Sequence, residues 1–289
     1  MQRTRMDIDQ ARTFLAIAAH GSFLEAARRL HVTQSTVSAR IRSLEGELGA
    51  RLFVRNRSGA SLTPAGDRFM RHAKNLVLTA EQARHDTGLS GRFDGSIRVA
   101  GRIALWEGFL PRWVGWMRRF APTISVRCEI GFEEDLMRRM VEGTLDVALM
   151  YTPSHAPDLV VEHLFDETLV MVSTREDTRW PGDDYIYVEW GPGFYAKHRD
   201  SFPDLERPAQ VVNIGWLGVQ LMLANGGASF LPLRMAQPLI DEGRLFRVAE
   251  GPQYLHPAYM VFPRAIDNEA LRQALQGLRD LAHEERQRA

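Results

Sequence analysis

The sequence predicts an α/β protein in two unequal parts: a small helical module with a β-wing and a long helix, then a larger domain of two α/β subdomains. Three observations carry this expectation. Before residue 50, apolar residues recur at helical spacing in three short segments separated by turn residues. From Thr63 onward runs one long helical pattern. After the stretch "GLSGRFDGS" at 88–96, with three glycines and two serines, β-rich runs alternate with helical ones, as in a sheet covered by helices. The expected boundaries are 1–62, 63–90 and 91–289. The last part divides into subdomain I, about 95–165 with 265–289, and subdomain II, about 166–264.

Composition narrows the class. The chain has 289 residues, 45% hydrophobic and 25% charged, enough for more than one packed core. No apolar run reaches the ~18 residues of a membrane span, and the polar start "MQRTRMDIDQ" is no signal peptide, so a cytoplasmic protein with no membrane partner is expected. The single cysteine, Cys128, excludes an internal disulfide and a multi-cysteine metal site, and the nine histidines lack ligand spacing. Neither a metal nor a cofactor is expected. The net charge of zero hides an asymmetry. Residues 1–90 hold fourteen Lys and Arg against eight Asp and Glu, a net +6, leaving −6 for the remainder. A basic first part points to a polyanionic partner.

The three helices of that part can be placed individually. The first, about Ile8 to Ala19, has Phe14, Leu15 and Ala18 as its apolar stripe and stops at His20-Gly21. Ser22 caps the second, with Phe23, Ala26, Ala27 and Leu30 on one side. After the turn His31-Val32, Thr33 caps the third, whose inner face is Val37, Ile41, Leu44 and Leu48. This is a helix-turn-helix. Opposite that inner face lie Ser35, Ser38, Ala39, Arg42 and Gly46, with Gln34 at the N-terminal edge. Short polar side chains at the leading end suit a helix entering the DNA major groove, where Gln pairs with an adenine edge, Ser and Thr meet bases or phosphates, and Arg reaches guanine or phosphate. The plainer alternative is a surface helix with a threonine cap.

The stretch "RLFVRNRSGASLTPAG" sets apolar Leu52-Phe53 and Leu62 about a polar tip with Arg55, Arg57 and Gly59. It suits a short wing laying arginines along the phosphates. Thr63 caps and Pro64 opens the long helix, in which Phe69, Ala73, Leu76, Ala80 and Ala83 recur at spacings of four and three. Such a seam serves a dimer that presents two recognition helices to a two-fold DNA site. The competing reading is packing against its own domain.

Residues 7–66, from "DIDQARTFLAIAAHGSFLEAARRLHVTQSTVSARIRSLEGELGARLF" to "LTPAG", resemble the winged helix-turn-helix of LysR-type transcriptional regulators almost without gaps. The rest of the chain resembles the same family's effector-binding domain through weaker motifs. The resemblance implies a dimeric or tetrameric regulator of transcription that binds and bends a double-stranded DNA operator with two-fold character and responds to a small molecule. By position, Thr33, Gln34, Ser35, Thr36, Ser38 and Arg42 fall in the DNA-contacting helix, with Arg55, Arg57 and Thr63 near phosphates. Ala39 departs from the family, whose members often carry a basic or longer side chain there.

In the large domain, Ile97 to Ala100 begins a strand, and a helix with Phe109, Trp113 and Trp116 follows. In "ISVRCEI", Ile124, Val126, Cys128 and Ile130 alternate, which predicts an inward-facing, structural thiol at Cys128. A helix from Leu136 to Glu142 and the strand "LDVALM" come next. "ETLVMVS", "DYIYVEW", "AQVVNI", a helix from Gly218 to Ala224, "SFLP" and "AYMVFP" form the second set, and Leu271, Leu275, Leu278 and Leu281 line a final helix. The family resemblance sharpens this to the periplasmic-binding-protein type II fold.

Ligands of open α/β sheets sit at the carboxyl ends of strands. Those turns carry Arg102 and Ile103, Phe132 and Glu133, Trp190-Gly191 and Gly215-Trp216. The expected effector residues are Arg102, Ile103, Glu133, Trp190 and Trp216. Many relatives have Ser or Thr where this chain has Arg102 and Glu133. The two charges either bind an anionic or zwitterionic effector or pair with each other. With no nucleophile motif, phosphate loop or metal cluster, no catalytic residue is expected. An effector-controlled regulator is favoured over a constitutive DNA-binding or architectural protein without a ligand.

Overall fold

The computed structural model describes residues 6–56, 59–87, 92–178, 182–205, 208–248 and 251–288. The chain forms two compact units, Met1–Ser90 and Gly91–Ala289.

In the first unit, α1 (Ile8–His20) starts from a capping box. Asp7 accepts from the Gln10 amide at 2.7 Å while the Gln10 side chain accepts from the Asp7 amide. Gly21, in the left-handed region, ends it. Ser22 caps α2 (Phe23–Arg29), and Thr33 caps α3 (Gln34–Leu48). The wing is the antiparallel pair β1 (Phe53–Asn56) and β2 (Gly59–Leu62), with Phe53 opposite Leu62 and Asn56 opposite Gly59. Next comes α4 (Pro64–Thr87). Gly66 is required by a close approach: a Cβ there would stand 2.3 Å from the Leu52 carbonyl oxygen. The α4 helix therefore lies directly on the start of the wing.

The core of this unit centres on Phe14, which meets Phe69 edge-on at 5.0 Å and Phe53 at 5.1 Å. Its α1 face is Ala11, Phe14 and Ile17, whereas Leu15 and Ala18 of the expected stripe are only half-buried. The centre of the stripe lies one residue off because α1 is wedged between α3 and α4. Leu48 is 40% exposed, a correction to its expected place inside, since it ends α3 beyond the reach of α1 and α2. Phe69 and Ala73 of the α4 seam are buried in this unit's own core, and Leu76 packs partly against it. Farther along, Ala80 is half-buried and Ala83 exposed.

The second unit runs β3 (Gly95–Gly101), α5 (Ile103–Trp106), α6 (Phe109–Phe120), β4 (Ile124–Ile130), α7 (Glu133–Val141), β5 (Val147–Met150) and β6 (Leu159–Ser173). It continues with β7 (Ile186–Val188), α8 (Pro192–Ser201), β8 (Gln210–Val212), α9 (Gly215–Asn225), β9 (Ala228–Pro232), α10 (Leu233–Asp241), β10 (Phe246–Arg247), β11 (Tyr254–Pro263) and α11 (Glu269–Arg288). A seven-stranded sheet has the order β10-β6-β11-β5-β3-β4, with β9 also on β6. β3 is parallel to β4 and β5, and β11 is antiparallel to β5 and β6. The parallel pair β7-β8 stands apart, joined to β9 by a single bridge from Tyr185 to Ala228. The long β6 and β11 thus run through both halves of the domain, with a register shift between Ala258 and Tyr259.

Helix α11 covers one face of the sheet with Leu271, Leu275, Leu278 and Leu281, all buried as their spacing predicts, and the Trp113 indole donates to the Ala274 carbonyl at 3.0 Å. Helix α7 covers the other face through Leu136 and Met140. Three expectations fail here. Cys128 is exposed, and so is Ile130, both toward the end of the edge strand β4, where the sheet meets solvent. Of "DYIYVEW" only 186–188 is strand, and α9 begins three residues before the expected Gly218. Among the described residues no helix is long and apolar enough to cross a membrane, and no group of His, Cys, Asp and Glu could hold a metal ion.

Candidate functional site

The leading end of α3 is built by its cap. The Thr33 hydroxyl accepts from the Thr36 amide at 3.2 Å and shares hydrogen bonds of 2.8 Å with the Ser35 and Thr36 hydroxyls. Gln34, Ser35, Ala39, Arg42 and Gly46 are exposed along one face, Ser38 is half-buried and Val37, Ile41 and Leu44 are buried. Between this helix and the wing lies a groove of about 460 Å³, lined by Ser38, Arg42, Glu45, Arg51, Val54 and Thr63 among others. The outward face is thus short and polar with a guanidinium at its flank, a shape that lets a helix backbone approach base edges.

The neighbouring cations are not equivalent. Arg40 reaches back to Asp9 at 2.7 Å and so braces α3 against α1, which leaves Arg42 as the cation that α3 itself presents to the groove, beside Arg51. The Thr63 hydroxyl donates to the Arg51 carbonyl at 2.6 Å and accepts from the Gly66 amide at 3.0 Å, so it fastens the wing to α4. Arg55 stands in β1 in register with Ala60, and Arg57 lies outside the described residues.

Sequence reasoning passed over Glu45. Its Oε1 accepts from the Leu52 amide at 2.7 Å and the Phe53 amide at 3.3 Å, tying α3 to the first strand of the wing. Glu45→Ala should cost about 1–3 kcal/mol of this unit's stability, because two inward amides lose a charged acceptor. Denaturant unfolding measures this, and a change below a few tenths of a kcal/mol would mean that water replaces the carboxylate.

In the second unit the Arg102 and Glu133 side chains come together. Arg102 Nε lies 3.2 Å from Glu133 Oε1 and the guanidinium sits 4.6 Å from the Phe132 ring centroid. That is ion-pair distance, yet Nε is not aligned to donate a hydrogen bond. Arg102 is largely buried and does not point to solvent. Trp190 is buried, donates to the Phe230 carbonyl at 2.8 Å and forces a glycine at 215, where a Cβ would stand 2.4 Å from its ring. Ile103 opens α5 half-buried, and Trp216 is exposed.

Four residues that the sequence reading did not select complete this region. Tyr151, following β5, donates to Glu167 Oε1 at 3.3 Å, and Arg234 pairs with the same carboxylate and donates to the carbonyls of Ala104 and Glu107. His256 packs on Tyr151 at 4.2 Å between ring centroids. Burial pushes the Glu167 carboxyl up while Arg234 opposes it, and burial raises the Tyr151 phenol. The signal that could have found Tyr151 is its place at a strand's carboxyl end. A separate hollow of about 890 Å³ lies between α8 and β7-β8, lined by Tyr187, Tyr195, His198, Arg199 and Phe202 among others, and none of the five expected effector residues borders it. The charged cluster, where polar groups from several elements converge, is the stronger candidate for recognising a ligand.

A winged helix-turn-helix followed by a two-part α/β domain with a polar cluster at its strand ends defines a DNA-binding regulator with a ligand domain. The family model described as "Bacterial regulatory helix-turn-helix protein, lysR family" matches residues 8–67, and that of the "LysR substrate binding domain" matches residues 90–285. The chain belongs to the LysR family of DNA-binding transcriptional regulators. It is 28% identical over 278 residues to the HTH-type transcriptional regulator HdfR of Yersinia enterocolitica, covering 92% of this chain and 94% of that protein. Against HdfR of Salmonella typhimurium the identity is 27% over 269 residues, with coverage of 92% and 95%. Among solved structures, full-length CbnR complexed with its target DNA has a TM-score of 0.74 at 20% identity, covering 96% of this chain and all of that one. LysG from Corynebacterium glutamicum with bound effector Arg has a TM-score of 0.55 at 21% identity, covering 96% and 99%. These two likenesses concern the fold.

Proposed function

We propose that the protein reads a two-fold operator through paired copies of α3 and adjusts that binding to a small molecule held in the second unit. In this reading residues 1–62 bind DNA, 63–90 link and dimerise, and 91–289 hold the effector between subdomain I (about 95–165 and 265–289) and subdomain II (about 166–264). Gln34 and Ser38 face base edges, Thr33, Ser35 and Thr36 hold the leading end of the helix, and Arg42, Arg55, Arg57 and Thr63 follow the phosphates. The observation that carries the reading is the exposed row Gln34, Ser35, Ala39 and Arg42 beside the wing. The far end of α4, where Leu76 and Ala80 are half-buried and Ala83 is exposed, is the surface offered to a second copy as a dimer or tetramer forms. The protein acts in the cytoplasm, where the DNA is, and uses no metal or cofactor.

The effector is anionic or zwitterionic and meets Arg102, Ile103, Glu133, Trp190 and Trp216. One observation favours a second reading. Arg102 and Glu133 already satisfy each other's charge, as a constitutive regulator without a ligand would have it. Selection of genomic fragments by the purified protein at two salt concentrations tests the DNA reading, and enrichment of a dyad that survives the higher salt is the expected result. Only salt-sensitive, sequence-independent capture would oppose it.

On the selected site, Gln34→Ala should lose about 1–3 kcal/mol and relax the preference at one base position. Arg42→Ala should instead weaken all sequences alike and lower the salt slope by about one. Equal behaviour of the two variants would refute this division of roles.

A further inference from the structure

The hollow between α8 and the β7-β8 pair has no part in the proposed function. Its volume of about 890 Å³ is that of a small-molecule pocket. Two faces of regular structure build it. On the strand side, Tyr187 and Glu189 point the same way by alternation, and Val211 lies opposite Tyr187 in register. The alternate residues Ile186, Val188 and Trp190 are buried instead. On the helix side stand Tyr195, His198, Arg199 and Phe202, spaced by three and four and so on one face of α8 and its C-cap.

Charge is distributed unevenly around this hollow. Among the described residues, no ion pair or side-chain hydrogen bond engages Glu189, Arg199 or the hydroxyls of Tyr187 and Tyr195. Glu189 and Tyr195 both bear on the Tyr187 hydroxyl: burial first, then these two, push that phenol up to about 12, and no cation offsets them. The end of the hollow that these three residues share is therefore electronegative. His198 adds no positive charge at neutral pH, because burial lowers its pKa to about 4, and the Tyr185 hydroxyl meets its Nε2 at 2.9 Å. Pro192, at the start of α8, has no amide to offer an anion there. Arg199 stands one turn beyond Tyr195, about 6 Å farther along the helix axis. Lys197 is turned to the Leu255 carbonyl.

We propose that this hollow binds an organic ammonium ion, with the cation at Glu189 beside the rings of Tyr187 and Tyr195 and an aromatic body lying along α8 toward Phe202. Aromatic faces attract a cation, most of all where it is partly desolvated, and the carboxylate adds a charge-assisted hydrogen bond. Phe202, Leu205 and Pro208 shelter the hydrocarbon part. None of the five residues assigned to the effector borders the hollow, so this second site stands or falls independently of the effector reading.

Titration calorimetry on the full-length protein at pH 7 tests it with phenethylamine, which is protonated there, 2-phenylethanol as the neutral counterpart and 3-phenylpropionate as the anionic one. The amine should bind about tenfold more tightly than the alcohol, and the acid more weakly than either. Glu189→Gln should weaken the amine about tenfold and leave the alcohol unchanged. Arg199→Ala should tighten the amine about two- to fivefold, because a like charge is gone. Both residues are exposed, so neither change endangers the fold. Glu133→Gln, in the other cluster, should change nothing.

Equal affinity for amine and alcohol, tighter binding of the acid, or indifference of the amine to Glu189→Gln would each overturn the site. So would a failure of the amine to bind. Loss of the amine in Glu133→Gln would place it at the Arg102 cluster and overturn the proposal as well.

Discussion

Arg234→Met should destabilise the second unit by about 3–5 kcal/mol at neutral pH, the range for removing one partner of a buried ion pair. Glu167 is 3% exposed and Arg234 only 15%, so solvent does little to replace the lost guanidinium. The carbonyls of Ala104 and Glu107 lose a donor as well. The pH dependence has a definite sign. Burial already holds the Glu167 carboxyl above its usual range, and without Arg234 it must rise further. A group whose folded pKa exceeds its unfolded one favours the folded state when protonated, so the deficit should shrink as pH falls through the folded value. Denaturant unfolding at pH 7 and pH 5 measures this. An equal deficit at both would assign the loss to packing and to the two carbonyls, not to the uncompensated charge. Adding Glu167→Leu should restore most of the stability, since the stranded carboxylate is then gone.

Phe14→Ala should cost the first unit about 3–5 kcal/mol, the range for deleting a fully buried phenylalanine. Phe14 is 0% exposed and joins three elements, since Phe53 lies in the wing and Phe69 in α4. Because the chain forms two compact units, calorimetry should show the transition of the first moving down while that of the second stays. Operator binding should fall with the first. Phe14→Leu, which keeps most of the volume, should recover the greater part of both. Retained operator affinity in Phe14→Ala would mean that α3 is held without this aromatic centre.

The helix-turn-helix was legible because each signal is local. Caps at Ser22 and Thr33 and the stop at His20-Gly21 lie within a few residues of the turns they close. The seam of α4 was harder. Its spacing fits a partner helix and its own domain equally, and only the packing of Phe69 and Ala73 on Phe14 and its neighbours assigns the first half inward. Cys128 shows the same limit for strands: alternation marks two faces of β4, but whether a helix covers one of them depends on its edge position.

By itself, the sequence determined the family, the two-part architecture, the polar face of α3 and the presence of a cation and an anion at two strand ends. These follow from residue type and short spacing. The tertiary structure decided which charges meet. Arg40 is spent on Asp9, Glu45 on the wing amides and Arg234 on Glu167, while His256 is left with an unmatched nitrogen. The partners in these contacts lie as few as seven and as many as 67 residues apart in the chain, and burial sets their worth. No local pattern records either, because both arise only when elements distant in the chain pack together.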